Sequence, residues 1–157
     1  MNRHKLDKID RSILRDLQAN GRMTNVELAA NAGISAPPCL RRVRALEDYG
    51  YIQSYHADLS ASMLGYGVAV FANVALEDTS EKDLQAFIKA VEKMDLVRDC
   101  YMIAGDMDFT LRIVAKDWDA YQRFITEELT ALKNVRSVKS SLIMKRNFKK
   151  PGVPIEE

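Results

Sequence analysis

The stretch with the clearest chemical potential is the run from Ser35 to Arg44, Ser-Ala-Pro-Pro-Cys-Leu-Arg-Arg-Val-Arg. Read as a helix at about 100° per residue, it sets Cys39, Val43 and Leu46 on one apolar line with Leu40 at its edge. Pro37, Pro38, Arg41 and Ala45 then point the opposite way, and Arg42 and Arg44 flank that free face. Small residues let a helix approach base edges, and arginines grip phosphates or present a fork to guanine. The residues read as a nucleic-acid face are therefore Ser35, Ala36, Pro37, Pro38, Arg41, Arg42 and Arg44. The plain alternative is a solvated helix face, which is what outward arginines usually are. Three further features weigh against it: a small Ala29 where two helices would cross, a Gly33 that accepts a left-handed turn between them, and a following segment able to act as a wing.

A second candidate lies in the Gly105-Asp106-Met107-Asp108-Phe109 segment. Two carboxylates one residue apart suit proton transfer or metal ligation, but aspartate is also an ordinary turn residue. A catalytic dyad wants a base or nucleophile beside it, and the sequence has no glycine-rich phosphate loop, nucleophile elbow or cluster of metal ligands. His4 and His56 stand alone, and Cys39 and Cys100 are too few for a disulfide framework or a zinc site. No enzymatic activity, metal or cofactor is expected.

The elements that must carry these residues follow from periodicity. Leu6, Ile9, Ile13, Leu14 and Leu17 recur at helical spacing, with Asp7 and Asp10 near the start and Asn20-Gly21 as the stop. Thr24 with Glu27 three residues on forms a capping-box pattern for a second helix ending at Gly33. Ser35 opens the third, whose prolines fall in the first turn, where an N–H has no partner to lose. Tyr51–Ala57 reads as a strand and 58–67 as a linker. Beyond it come a strand from Val68 to Leu76, a helix marked by Leu84, Phe87, Ile88 and Val91, strands Val97–Ile103 and Phe109–Val114, a helix from Trp118 to Leu132, and a strand from Val135 to Phe148. That order is βαββαβ, the ferredoxin-like arrangement. The expected class is α+β: a winged helix-turn-helix domain over 1–58, a ferredoxin-like regulatory and oligomerisation domain over 68–150, and a flexible tail over 151–157.

Composition agrees with a globular chain. Of 157 residues, 47% are hydrophobic and 29% charged, and the net charge is +1. No bulk field advertises a polyanion, so any nucleic-acid contact must be local. The start of the chain does not read as a secretory signal, and its apolar runs are too short to span a bilayer. A cytoplasmic, nucleoid-associated protein is expected.

The residues Asp10-Arg11, Ile13-Leu14, Leu17-Gln18, Gly21-Arg22, Asn25–Ala29, Pro38–Arg44, Leu46-Glu47 and Gly50-Tyr51-Ile52 closely resemble the leucine-responsive and asparagine-operon (Lrp/AsnC, feast/famine) family of regulators. The Gly105–Phe109 segment is similar to that family's Gly-Asp-x-Asp-aromatic motif, with Met107 where the family often has Tyr or Phe. The resemblance runs over nearly the whole chain. It implies a sequence-specific transcription regulator of amino-acid metabolism that binds double-stranded DNA. It also implies a homodimer formed through the sheet, further assembly into a tetramer of dimers, and a small effector, commonly an amino acid. On that footing the effector residues are Met102, Gly105, Asp106, Met107, Asp108, Phe109 and Ile143. Asp106 and Asp108 would accept an ammonium group. Met102 and Ile143 would form an apolar wall, and the adaptable Met107 favours leucine or methionine over a charged ligand. The competing reading is a small α+β enzyme or ligand carrier with an incidental helical appendage.

Overall fold

A computed structural model describes residues 5–156, so His4 lies outside the described residues. The chain forms two units. One runs to Asp58 and takes in the chain again from Phe148; the other is Leu59–Asn147.

The first unit holds three helices, α1 (Lys8–Ala19), α2 (Asn25–Asn31) and α3 (Ala36–Asp48). Reciprocal capping boxes open the first two. Asp7 accepts from the Asp10 N–H at 2.9 Å and its own N–H donates to the Asp10 carboxylate at 3.1 Å. Thr24 and Glu27 repeat the arrangement at 3.3 and 2.7 Å. Left-handed glycines end α2 and α3. At Gly33 (φ 67°) the N–H groups of Gly33 and Ile34 return to Ala30 and Ala29, and at Gly50 (φ 77°) those of Gly50 and Tyr51 return to Glu47 and Leu46. Each closes orphan carbonyls as a Schellman motif. The core beneath is small: Ile13, Leu28, Ala29, Cys39 and Leu46.

Two expectations change here. Tyr51–Ala57 is not a strand; the chain bends at Tyr51 and Ile52, and among the described residues no strand pairs with the segment. A single strand leaves its backbone groups unpaired, so none persists. Ile52 instead packs on the three-helix core, and the Tyr55 hydroxyl donates to Glu47 at 2.9 Å. The tail also differs from the flexible segment expected over 151–157. Gln18 donates to the Val153 carbonyl at 2.8 Å and accepts from the Val153 N–H at 3.0 Å, while Arg11 donates to the Glu156 carbonyl at 3.3 Å. Gly152 makes the fit possible: its φ is 61°, and a Cβ there would collide with the Gln18 side chain.

The second unit is a four-stranded antiparallel sheet in the order β2-β3-β1-β4, from β1 (Val68–Leu76), β2 (Val97–Met102), β3 (Phe109–Ala115) and β4 (Val135–Leu142). Helix α4 (Glu81–Val91) joins β1 to β2, and α5 (Trp118–Arg123) continues as a π-helical turn over Phe124–Leu129 before β4. The hydroxyls of Thr126 and Thr130 take up carbonyls of that last helix, which loosens its ladder. Alternate residues of β1 and β3 (Val70, Ala72, Val74; Phe109, Leu111, Ile113, Ala115) meet Phe87, Val91, Tyr121, Phe124 and Leu129 of the helices in one core. Strand β4 stops at Leu142, short of the expected Phe148, because β1 begins at Val68 and offers almost nothing further to pair with. The stretch 59–67, expected as linker, belongs to this unit: it makes a 3₁₀ turn at Ser62–Leu64, and Gly67 donates to the Lys116 carbonyl.

No described helix is long and apolar enough to cross a membrane.

Candidate nucleic-acid interface and effector turn

The start of α3 is built unusually. Ser35 is its N-cap residue, yet its hydroxyl caps nothing. An N-cap oxygen normally accepts from the second or third N–H of the helix, and Pro37 and Pro38 occupy those two positions. The Ser35 hydroxyl is thereby left for an outside partner. Along the helix, Pro37, Leu40, Arg41 and Arg44 are exposed and follow one another at spacings of three, one and three residues, a single outward stripe. Ala36 and Pro38 are half-buried beside it. Among the described residues no carboxylate pairs with Arg41 or Arg44.

Arg42 belongs elsewhere, which corrects its place in the expected DNA face. Its Nη1 reaches Asp10 at 2.7 Å and Asp7 at 2.8 Å, tying α3 to the first turn of α1. The hydrogen bonds that Arg42 donates to Asp10 and then to Asp7 raise the guanidinium's pKa above its ordinary value. In return the Asp7 carboxyl is held below the usual aspartate range, first by the Asp10 backbone N–H, with Arg42 assisting. The signal was present in the spacing. Arg42 is three residues after Cys39 and four before Leu46, both buried, so it lies toward the core rather than on the free face.

The turn between β2 and β3 is closed by Ile103, whose N–H donates to the Asp108 carbonyl at 2.9 Å, and Gly105 takes φ 146° within it. Met102, Gly105 and Asp106 are exposed, and Met107 is half-buried. These four stand together at the sheet end. The other three expected effector residues have partners within the fold. Asp108 is used by the fold: one carboxylate oxygen accepts from the Leu76 N–H at 2.7 Å, and its own N–H donates to the Val74 carbonyl at 2.9 Å. Phe109 is fully buried, its ring centroid 4.7 Å from that of Phe87. Ile143 donates to the Ala69 carbonyl, at the opposite end of β1 from Val74. Five residue steps along the strand separate these anchor points, about 17 Å at the usual rise. Ile143 cannot wall a site at the turn of its own subunit.

Sequence reasoning also missed the open side of the sheet. Helices cover one face only. On the other, Phe71 stands between Arg112 and Ser141, and Tyr101 stands across from Thr110. Phe71 is 41% exposed and Tyr101 55% exposed. Arg112 pairs with Asp99 on the same face. Strand β1 is apolar at every position but Asn73, so its sequence does not distinguish the inward residues from the outward ones. Among the described residues no group of three or more His, Cys, Asp or Glu could hold a metal ion.

Comparison with known proteins matches both units. Residues 6–53 fit the model of a winged helix-turn-helix DNA-binding domain, and residues 69–153 that of the Lrp/AsnC ligand-binding domain. The chain is 49% identical over 144 residues to a leucine-responsive regulatory protein of Rhizobium meliloti, covering 92% of each. It is 37% identical over 139 residues to the leucine-responsive regulatory protein of Escherichia coli, covering 88% of this chain and 85% of the other. Among solved structures, a transcriptional regulator from Neisseria meningitidis in complex with L-Met superposes with a TM-score of 0.90 at 33% identity, covering 96% of this chain and 97% of that one. Escherichia coli AsnC does so with a TM-score of 0.86 at 25% identity, covering 96% and 100%. With a helix-turn-helix unit joined to a βαββαβ ligand-binding unit, matched in order and nearly end to end, the chain belongs to the Lrp/AsnC family of transcriptional regulators.

Proposed function

We propose that this regulator reads operator DNA through the Pro37-Leu40-Arg41-Arg44 face of α3 and adjusts that binding to an amino acid held at the β2–β3 turn. The observation that carries the DNA reading is the pair of unpaired, outward arginines beside an uncommitted Ser35 hydroxyl. Arg41 and Arg44 meet phosphate or guanine; Arg42 holds the helix in place behind them.

The effector reading is supported by the turn and by the relatives, whose names specify leucine response and one of which was solved with L-Met. Asp106 is the carboxylate left free to accept the effector's ammonium group, because Asp108 already serves the Leu76 N–H. Met102 and Met107 offer adaptable apolar contact, which favours leucine or methionine. Thermal unfolding with each of the twenty amino acids tests this, since a ligand of the native state raises the melting temperature by mass action. Leucine or methionine should raise it in the parent and not in Asp106→Ala; an unchanged response in that variant places the site elsewhere.

One α3 covers only a few base pairs, so specificity calls for two on adjacent half-sites. The open sheet face with Phe71 and Tyr101 is the surface through which two copies pair, and dimers assemble further into a tetramer of dimers. The protein works in the cytoplasm on the nucleoid. Sedimentation of Phe71→Asp should show a smaller species than the parent; an unchanged mass excludes that face.

A further inference from the structure

Leu40 is an apolar residue in a place where burial does not explain it. It keeps 39% of its surface exposed, while the apolar contacts of α3 with its own core are made by Ala36, Cys39, Val43 and Leu46. Single exposed leucines are common. This one is set apart by its neighbours: it shares an outward stripe with Pro37, Arg41 and Arg44, so a branched aliphatic group stands among unpaired guanidinium groups. The edges of base pairs in the major groove offer arginine the O6 and N7 of guanine, and they offer an aliphatic side chain one apolar group, the C5 methyl of thymine.

The spacing suits both contacts at once. Residues 40 and 44 are four apart on α3, about 6 Å along the axis at the helical rise. Stacked bases repeat at about 3.4 Å, so side chains from those positions address base pairs roughly two steps apart. We propose that Leu40 is a specificity-determining residue that reads a thymine methyl, within about two base pairs of a guanine read by Arg41 or Arg44. The inference rests on α3 being the DNA-reading helix and adds a base identity to that reading.

The test uses the full-length protein. Duplexes are selected from a randomised pool, and each enriched thymine is then replaced singly by deoxyuridine, which removes the methyl and leaves pairing intact. At one thymine per half-site, deoxyuridine should weaken binding about fourfold, the worth of burying one methyl-sized group. Leu40→Ala should bind the thymine and deoxyuridine duplexes equally while keeping its preference for guanine, and Leu40→Met should restore part of the difference. A melting temperature unchanged by substitution of so exposed a residue separates readout from folding. The proposal is overturned if no thymine shows the deoxyuridine penalty, or if Leu40→Ala retains it in full. A pool enriched in guanine without a fixed thymine sinks the Leu40 assignment alone, whereas a pool with no enrichment sinks the DNA reading and this inference together.

Discussion

Arg42→Ala should unfold the helical unit more readily without touching any base contact. The side chain it serves, Asp10, is 3% exposed and is the one buried polar or charged residue among the described residues. Removing the guanidinium takes from that carboxylate its charge-assisted bond at 2.7 Å and keeps the Asp7 N–H at 3.1 Å among its partners. Breaking a fully buried pair costs about 3–5 kcal/mol. Here the arginine side chain is 33% exposed and Asp7 50% exposed, so water recovers part of the loss. A cost of about 2–3 kcal/mol is the outcome of that discount. Trp118, the only tryptophan, lies in the other unit, so its fluorescence follows the wrong transition. Hydrogen exchange of α1 and α3 amides, with circular dichroism in urea, follows the right one. Asp10→Ala in the Arg42→Ala background should cost much less than it does in the parent, since the two share one interaction. An Arg42→Ala protein that keeps the parental stability and instead loses DNA affinity evenly on all sequences, with a shallower salt slope, would place Arg42 on phosphate rather than on Asp10. The pH dependence has a definite sign. Asp7 is depressed in the folded state, so its contribution is complete above the ordinary aspartate value of 3.8 and is lost as the pH falls through the lower folded value.

Arg41→Ala or Arg44→Ala should leave unfolding unchanged and weaken operator binding by about 1–3 kcal/mol where the side chain meets a base, measured by fluorescence anisotropy at two salt concentrations. Asp108→Ala should destabilise the sheet unit by about 1–3 kcal/mol, because the Leu76 N–H loses its acceptor; a parental urea midpoint by Trp118 fluorescence contradicts this. Gly152→Val should release the tail from Gln18, and exchange of the amides over 152–156 should then approach that of free chain while the sheet amides stay protected.

Much of this architecture could be read before any coordinates. The Thr24–Glu27 capping box, the Gly33 turn and the buried line of Cys39 and Leu46 are local or periodic signals, and each element formed where they pointed. The βαββαβ order was legible for the same reason, since short apolar, β-branched runs and runs of helical spacing follow one another after Val68. What escaped depends on partners remote in sequence. Arg42 finds carboxylates 32 and 35 residues away, Asp108 a backbone N–H 32 away, and Val153 a glutamine 135 away. A helical wheel shows which way a side chain points but not what waits there. The strand expected at Tyr51–Ala57 failed in the opposite direction: local propensity was adequate, and no neighbouring strand existed to use it.

One coupled measurement is decisive: fluorescence anisotropy of the full-length protein on its selected operator, titrated with and without saturating L-leucine or L-methionine at fixed salt. One of them should shift the operator affinity of the parent several-fold, and Asp106→Ala should bind the same duplex with parental affinity but show no shift. Equal affinities for the parent with and without either amino acid, or an Asp106→Ala protein that still responds, would contradict this.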